Sequence, residues 1–592
     1  MALLLASILT SAFEIPHVKA ETETIYIMPD GSVSPSTAPI QKNGDTYILN
    51  GSISVNQDGI RIERDNVILD GAGYTVQGAR TGTGVDLTDR NNVTIANITV
   101  TQFFNGILLS NATDNSILEN HVSSNANVGI AMFSSSSNNT IVENDVENNT
   151  SRASAVGIAI ENSCNNNTIL RNNLANNDAG ISPLYDCSGN VVSENNVTTN
   201  LYGINLLNAY GNSFLGNNLT NNEDGLTLQS SSDNTLRNNS INGHGSHFAV
   251  QGYDLSDFIN DIDASNTVEG KPVYYWINDS KETVPLDAGY VALVNCSEMT
   301  VQNLNLTLSE EQSILLAYTV NSTVTSNRIA ANASGVEDYG VQLVFSNNNT
   351  IKENSISHRT YAIRLQNYCT GNLVTMNNVT SNGQGIDLDE DSTNNTVSNN
   401  TVTDTGNAIM LEYDSSDNII TGNSITQADV YAIRLSFTSN NNIITRNDVT
   451  YNSAAVGIEY SSSSNVFYEN NFINNAKQVV FYEGDSTNFW DKGSEGNYWS
   501  DYNGTGSTPY VIDTNNIDNH PMTTPYSASQ SGQKEPLPTW FVPVVILAVG
   551  VGGTLLAVAV YRKKRLSTDR AAQGESPTSG GTPVSSKEEE ET

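Results

Sequence analysis

Arg364, Asp387, Asp389, Glu412 and Arg434 are the side-chain types that cleave or grip a sugar chain, and they recur near a 23-residue interval. Glycoside hydrolysis needs two carboxyl groups about 5 to 9 Å apart, and a lyase can pair a base with bound calcium. Carboxylates that close either share a cation or raise one another's proton affinity. The pattern therefore admits Asp387, Asp389 and Glu412 as catalytic groups. It also admits a calcium or uronate site in which Arg364 and Arg434 hold an acidic sugar. The plainer reading is a solvated charged face, because an arginine one repeat away from Asp387 makes an ordinary ion pair.

These residues fall on one face only if the chain repeats in space. Two blocks, 85–245 and 329–470, repeat a unit near 23 residues, marked by Gly106-Ile107, Gly129-Ile130, Gly157-Ile158, Gly180-Ile181, Gly203-Ile204 and Gly225-Leu226. The second block repeats the mark at Val341, Ile363, Ile386, Ile409, Ile433 and Ile458. Each unit holds three apolar pieces too short for a helix and alternating at period two, so each piece is a strand. A single turn of this kind has no core; stacked turns pair backbone with backbone and close an apolar column. The predicted fold is all-β, a right-handed parallel β-helix. Leu109, Met132, Ile160, Leu206, Leu228, Leu343, Leu365, Leu388, Leu411 and Leu435 line its inside, interrupted at Pro183 and Tyr460. Pro183 has no amide donor, so a bulge is expected there. Outward positions one and three after each mark give Arg364, Asp387, Met410, Arg434 and Glu459, then Gln366, Asp389, Glu412, Ser436 and Ser461.

Two files of asparagine, through Asn115 and Asn120 in the first block and Asn349 and Asn354 in the second, sit at the turns, where left-handed backbone and stacked amides suit them. Cys164, Cys187 and Cys369 share a third file with serines. Cys164 and Cys187 are one turn apart, so a disulfide or two buried thiols both fit.

The remaining segments differ in character. Residues 1–20 read as a signal peptide and 21–84 as an N-terminal cap with the first turns. In 246–328 the asparagine rhythm weakens, which reads as divergent turns or an insertion. Residues 471–527 form an aromatic C-terminal cap in which Trp490 and Trp499 cover the last apolar layer or offer a sugar-stacking surface. A linker at 528–539 leads to 540–561, uncharged and long enough to span a bilayer, and then to a basic cluster and a disordered tail, 562–592. This predicts a single-pass protein with its N-terminal ectodomain outside and a cytoplasmic tail, the membrane being one partner. Asn92, Asn111, Asn138, Asn218, Asn305, Asn348 and Asn503 head glycosylation sequons. A net charge of -37 excludes nucleic acid as partner.

The Gly-Ile-x-Leu and Asn-x-Ile units, Gly270 to Trp276, and the terminal Asn497-Tyr498-Trp499-Ser500-Asp501-Tyr502 resemble archaeal surface proteins of the NosD-like β-helix class. The resemblance implies the fold over 22–527 and says little of activity. Its copper label transfers poorly, since copper favours clustered His, Met or Cys. Only His244 and His247 lie close in sequence. The expectation is a protein that needs no cofactor, for which calcium is admissible and copper is not. It is expected to present a rigid face for adhesion, carbohydrate contact or envelope structure, touching surface polysaccharides or envelope proteins. A surface polysaccharide hydrolase or lyase is the alternative, and the non-enzyme is preferred.

Overall fold

The computed structural model describes residues 19–20, 23–150, 155–243, 246–307, 312–331 and 338–527. Contact density divides the chain into Met1–Tyr526 and Ser527–Thr592. The first unit is all strand apart from one short 3-10 turn, Leu255–Phe258, among the described residues. Each turn of chain supplies three strands to parallel sheets, and the register stacks Ile107 on Ile130, Leu109 on Met132, and Leu206 on Leu228. The inward file is therefore real, and Leu206 and Leu228 are wholly buried. At Pro183 the register slips, and Leu184 rather than Pro183 takes the place above Leu206.

Asparagine holds the turns together. In the first file Asn115 gives its backbone N–H and its side-chain amide to Asn139 Oδ1, both at 3.0 Å, and Asn139 repeats this on Asn167. The amide also donates to a main-chain carbonyl, as Asn395 does to Cys369 at 2.9 Å. A third file, Asn125, Asn149, Asn177 and Asn200, does the same at the remaining corner. Sequence reading had found two files only. Asn395→Ala would leave the buried N–H groups of Asn372 without an acceptor, so unfolding in denaturant should show a loss of about 2–3 kcal/mol.

The single continuous column expected from the repeat is two. Strands Tyr290–Val294 and Gln312–Ala317 are buried on both faces. Val291, Leu293, Ile314 and Leu316 enter the core of the second coil, while Tyr290, Ala292, Val294, Leu315 and Ala317 pack against the core of the first. A parallel sheet covered on both sides loses its alternation and reads as a continuous apolar run, which is why the rhythm fades in this segment. Val268 and Lys271 pair across a tight antiparallel turn into Lys271–Ile277, the strand that opens the second coil.

At the C-terminus Trp490 stacks on Phe467 at 4.3 Å and Trp499 on Phe472 at 4.6 Å. Both indoles are buried, so neither offers a sugar-stacking surface. The asparagine files end there too: Trp490 Nε1 donates to Asn516, and Trp499 Nε1 to Asp518.

Among the described residues no helix is long and apolar enough to cross a membrane. The expected span 540–561, with its linker and tail, lies outside the described residues, as does 1–18 of the expected signal peptide. No described residue supports the single-pass topology, the membrane as partner or the cytoplasmic tail, and these readings are carried no further.

Candidate functional site

The three longest strands of the molecule, Asn378–Leu388, Thr401–Leu411 and Ser424–Leu435, lie side by side in the second coil. In these turns two strands run together without an intervening loop. In the first two the join runs through glycine, Gly383 and Gly406, and a Cβ on Gly406 would overlap the carbonyl oxygen of Gly383. Long paired strands make a stiff platform, and side chains on them hold their positions better than those on loops.

The outward face of this platform carries the predicted acids. One file runs Gln342, Arg364, Asp387, Met410, Arg434 and Gly457 in register. The parallel file two residues on contains Asp389, Glu412, Ser436 and Glu459. Glu459 belongs there, and not beside Arg434 as the spacing suggested, because the last unit begins at Val456, which pairs with Ile433. This also resolves Tyr460, which falls outside the core while Ile458 takes the inward place opposite Leu435. A side chain at Gly457 would strike the ring of Tyr431 at 2.6 Å, so glycine there makes room for that ring beside Arg434.

The face is not solvated. Asp387 is fully buried and Asp389 nearly so, with Met410 and Arg364 in register on either side of Asp387. Arg364 pairs with Asp389 through one guanidinium nitrogen, and its Nε lies 3.1 Å from Asp387 Oδ2. That N–H is not directed at the oxygen, so both carboxyl oxygens of Asp387 and the Arg364 Nε lack a hydrogen bond. Arg434 pairs with Glu412 and with Glu459, the latter at 2.7 Å. Tyr339 and Tyr361 stack at 5.4 Å and the Arg364 guanidinium lies over the Tyr361 ring at 4.7 Å.

Burial pushes the Asp387 carboxyl well above the usual carboxylate range; Arg364 opposes this, and the charges of Asp389 and Glu412 add to it. Burial also raises Glu412, against the pull of Arg434. The cluster thus sets an acid whose proton is held more tightly than usual among ion-paired acidic side chains, an arrangement that acid–base chemistry can use. The solvated charged face, on which the preference for a non-enzyme rested, is overturned by this burial. Arg434 is engaged by Glu412 and Glu459, and Arg364 by Asp389 with Asp387 packed against it, so neither is an open cation for an acidic sugar.

Elsewhere, Cys164 and Cys187 are free and buried, so the disulfide alternative fails; their thiols donate to the carbonyls of Glu161 and Tyr185 at 3.1 and 3.0 Å. Asn92, Asn111, Asn138, Asn218, Asn305, Asn348 and Asn503 are all exposed. His244 lies outside the described residues, and His247 is buried with its Nε2 3.0 Å from Glu269.

His121, Asp145 and Glu147 were not singled out in the sequence, yet adjacent strands bring one ligand atom of each within 4.8 Å of the others. His121 had seemed isolated because its partners lie one turn away. Two carboxylates and one imidazole form a hard donor set. Among the described residues this is the one group of three or more His, Cys, Asp or Glu side chains close enough to share an ion, and it supplies a single imidazole.

Comparison with known proteins fits the coil. A right-handed β-helix profile matches residues 39–197, which gives the handedness. Among solved structures, an exopolygalacturonase from Thermotoga maritima is 10% identical, with 56% of this chain and 85% of that one covered and a TM-score of 0.29. The A-module of the mannuronan C-5 epimerase AlgE6 from Azotobacter vinelandii is 11% identical over 73% and 89%, TM-score 0.22. PfbA, a surface adhesin of Streptococcus pneumoniae, is 11% identical over 61% and 82%, TM-score 0.21. At such distances the likeness is one of fold. The preference for a non-enzyme is corrected on the burial of the acidic cluster, since the solvated face on which it rested is absent there. No curated protein matches. Nothing here supports an archaeal origin, which is dropped with the membrane anchor. A family profile described as periplasmic copper-binding protein (NosD) matches 144–257, 256–400 and 339–504, well over half of the chain, and the protein therefore belongs to the NosD family.

Proposed function

We propose that this chain is a polysaccharide-cleaving enzyme, a hydrolase or lyase, working on the outward face of its second coil. The observation that carries the reading is Asp387, an acid buried without a hydrogen bond beside carboxylates that are ion-paired. Asp387, covered in the free chain, gives its proton to the leaving glycosidic oxygen once the sugar displaces the side chains over it. Asp389, two residues away on the same strand face, accepts a proton from the attacking water. Arg364 pairs with Asp389, and Arg434 with Glu412.

The full chain incubated with neutral and acidic polysaccharides should release new reducing ends or unsaturated sugars, and Asp389→Asn should release none while keeping the thermal unfolding midpoint of the parent. No product from any polymer, or equal product from the variant, would overturn the reading. The reaction needs no metal. A hard divalent cation such as calcium would find ligands at Asp145 and Glu147, away from this chemistry. Calcium should then raise the unfolding temperature of the parent and leave that of Asp145→Asn unmoved.

A further inference from the structure

Two ladders of aromatic rings flank the acids, one residue beyond the file of Asp389 and Glu412 except at Tyr368, which stands two beyond and is level with Asp391. In the first, Tyr318, Phe345 and Tyr368 stack in sequence with centroids 4.7 and 6.1 Å apart. In the second, Tyr413, Phe437 and Tyr460 stack at 4.3 and 4.2 Å, nearly parallel. Every one of these residues takes left-handed backbone, which a bulky side chain seldom adopts, so the turn is held by the rungs on either side. The rings come from successive rungs, so each stack runs along the coil and the outer faces of its end rings look along the coil axis.

The ladders stop at one rung, the one that carries Asp387 and Asp389. There the corner holds Glu390 and Asp391. Tyr368 is joined to it from one side, its backbone N–H donating to the Glu390 carbonyl, and Tyr413 from the other, its carbonyl accepting from Asp391. Tyr368 is 43% exposed and Tyr413 49%. Two rungs separate them, about 9.6 Å at the usual strand spacing. A ring in van der Waals contact with both faces needs about 7–8 Å, so the gap admits one ring with about 2 Å to spare.

We infer that Tyr368 and Tyr413 form the two walls of a subsite for one sugar ring of a non-acidic chain, with Glu390 as its floor. The inference rests on the proposed cleavage site and names its substrate class. Charge decides that class. Asp387, Asp389, Glu390, Asp391, Glu412 and Glu459 surround two arginines already engaged by carboxylates, on a chain of net charge -37, so a uronate would meet repulsion with no open cation to offset it. A sugar with hydroxyls alone presents C–H groups to the rings and donors to the acids.

The test is binding to the full chain, measured by calorimetry with cellohexaose, laminarihexaose, mannohexaose, chitohexaose and hexagalacturonate as probes. At least one of the four non-acidic hexasaccharides should bind and hexagalacturonate should not. Tyr413→Ala should weaken that binding about tenfold or more, as loss of an aromatic contact does, with Tyr413→Phe restoring it. Tyr482→Ala, at the far end of the second ladder, should bind like the parent. Binding of hexagalacturonate alone, binding of none of the probes, or equal binding by Tyr413→Ala would overturn the inference. Binding with the expected pattern but without cleavage leaves the subsite standing and removes only the catalytic reading.

Discussion

Asp387→Asn is expected to lower product formation by about 10²- to 10⁴-fold, the usual contribution of one general acid. Asparagine fills the same space and has no proton to give. The physical ground is the side chain's surroundings: no exposure, no hydrogen bond to either oxygen, and an adjacent guanidinium whose Nε–H is aimed elsewhere. Desolvation outweighs the pull of Arg364, so the folded protein binds the Asp387 proton more tightly than the unfolded chain does. The sign for stability follows from that. The contribution of protonated Asp387 is complete below the ordinary carboxylate range and is lost as pH rises from there through the raised value in the fold. The parent should lose stability across this window relative to Asp387→Asn, and activity should fall on the same alkaline limb. Thermal unfolding of both proteins across pH, beside a pH–rate profile of the parent, checks both. If the difference between the two proteins stayed flat with pH, or grew in the parent's favour as pH rose, Asp387 would be ionised in the fold and could not serve as the acid.

The inward files were legible because a repeat of fixed length turns distance along the chain into height along the coil, and Leu, Asn and Ser each have one place on a turn. Where the length per turn changed, the reading slipped. The unit containing Tyr460 begins two residues earlier than its leading isoleucine implies, and the misplacement of Glu459 followed from that one offset. Periodicity also says nothing of what covers an outer face. The apolar runs Val291–Val294 and Ile314–Ala317 were visible as residues, but their meaning, a sheet with a core on each side, depends on where the first coil ends. Asp387 was found by type and spacing, whereas its burial depends on Arg364 and Met410 in neighbouring turns. The ladders carried a usable signal: Tyr318, Phe345, Tyr413, Phe437 and Tyr460 each stand four residues after the leading apolar residue of their turn. The tryptophans drew attention as the larger aromatics, and they are the ones the core consumes.

Trp499→Ala is expected to cost about 3–5 kcal/mol, the range for deleting a large buried aromatic. The indole lies between Phe472 and Tyr510, the latter at 4.4 Å, so its loss opens a cavity that the stiff last turn closes poorly. A second loss is polar. Trp499 Nε1 donates to Asp518 Oδ2 at 2.9 Å, and the same oxygen receives the backbone N–H of Asn497, the last member of an asparagine file. Burial already holds the Asp518 carboxyl above its ordinary range, and one donor fewer makes its charge harder to keep. In a stacked coil each turn rests on its neighbours, so damage at the end spreads inward from that end. Hydrogen exchange should show protection falling first at Tyr498–Trp499 and Asn471–Ile473, with the turns around Leu206 unchanged. Equal loss along both coils would mean that the cap is not what closes the second core. Sugar binding at the outward face should survive in Trp499→Phe, which keeps the stack and drops the donor, and this separates the cap's role from the recognition surface.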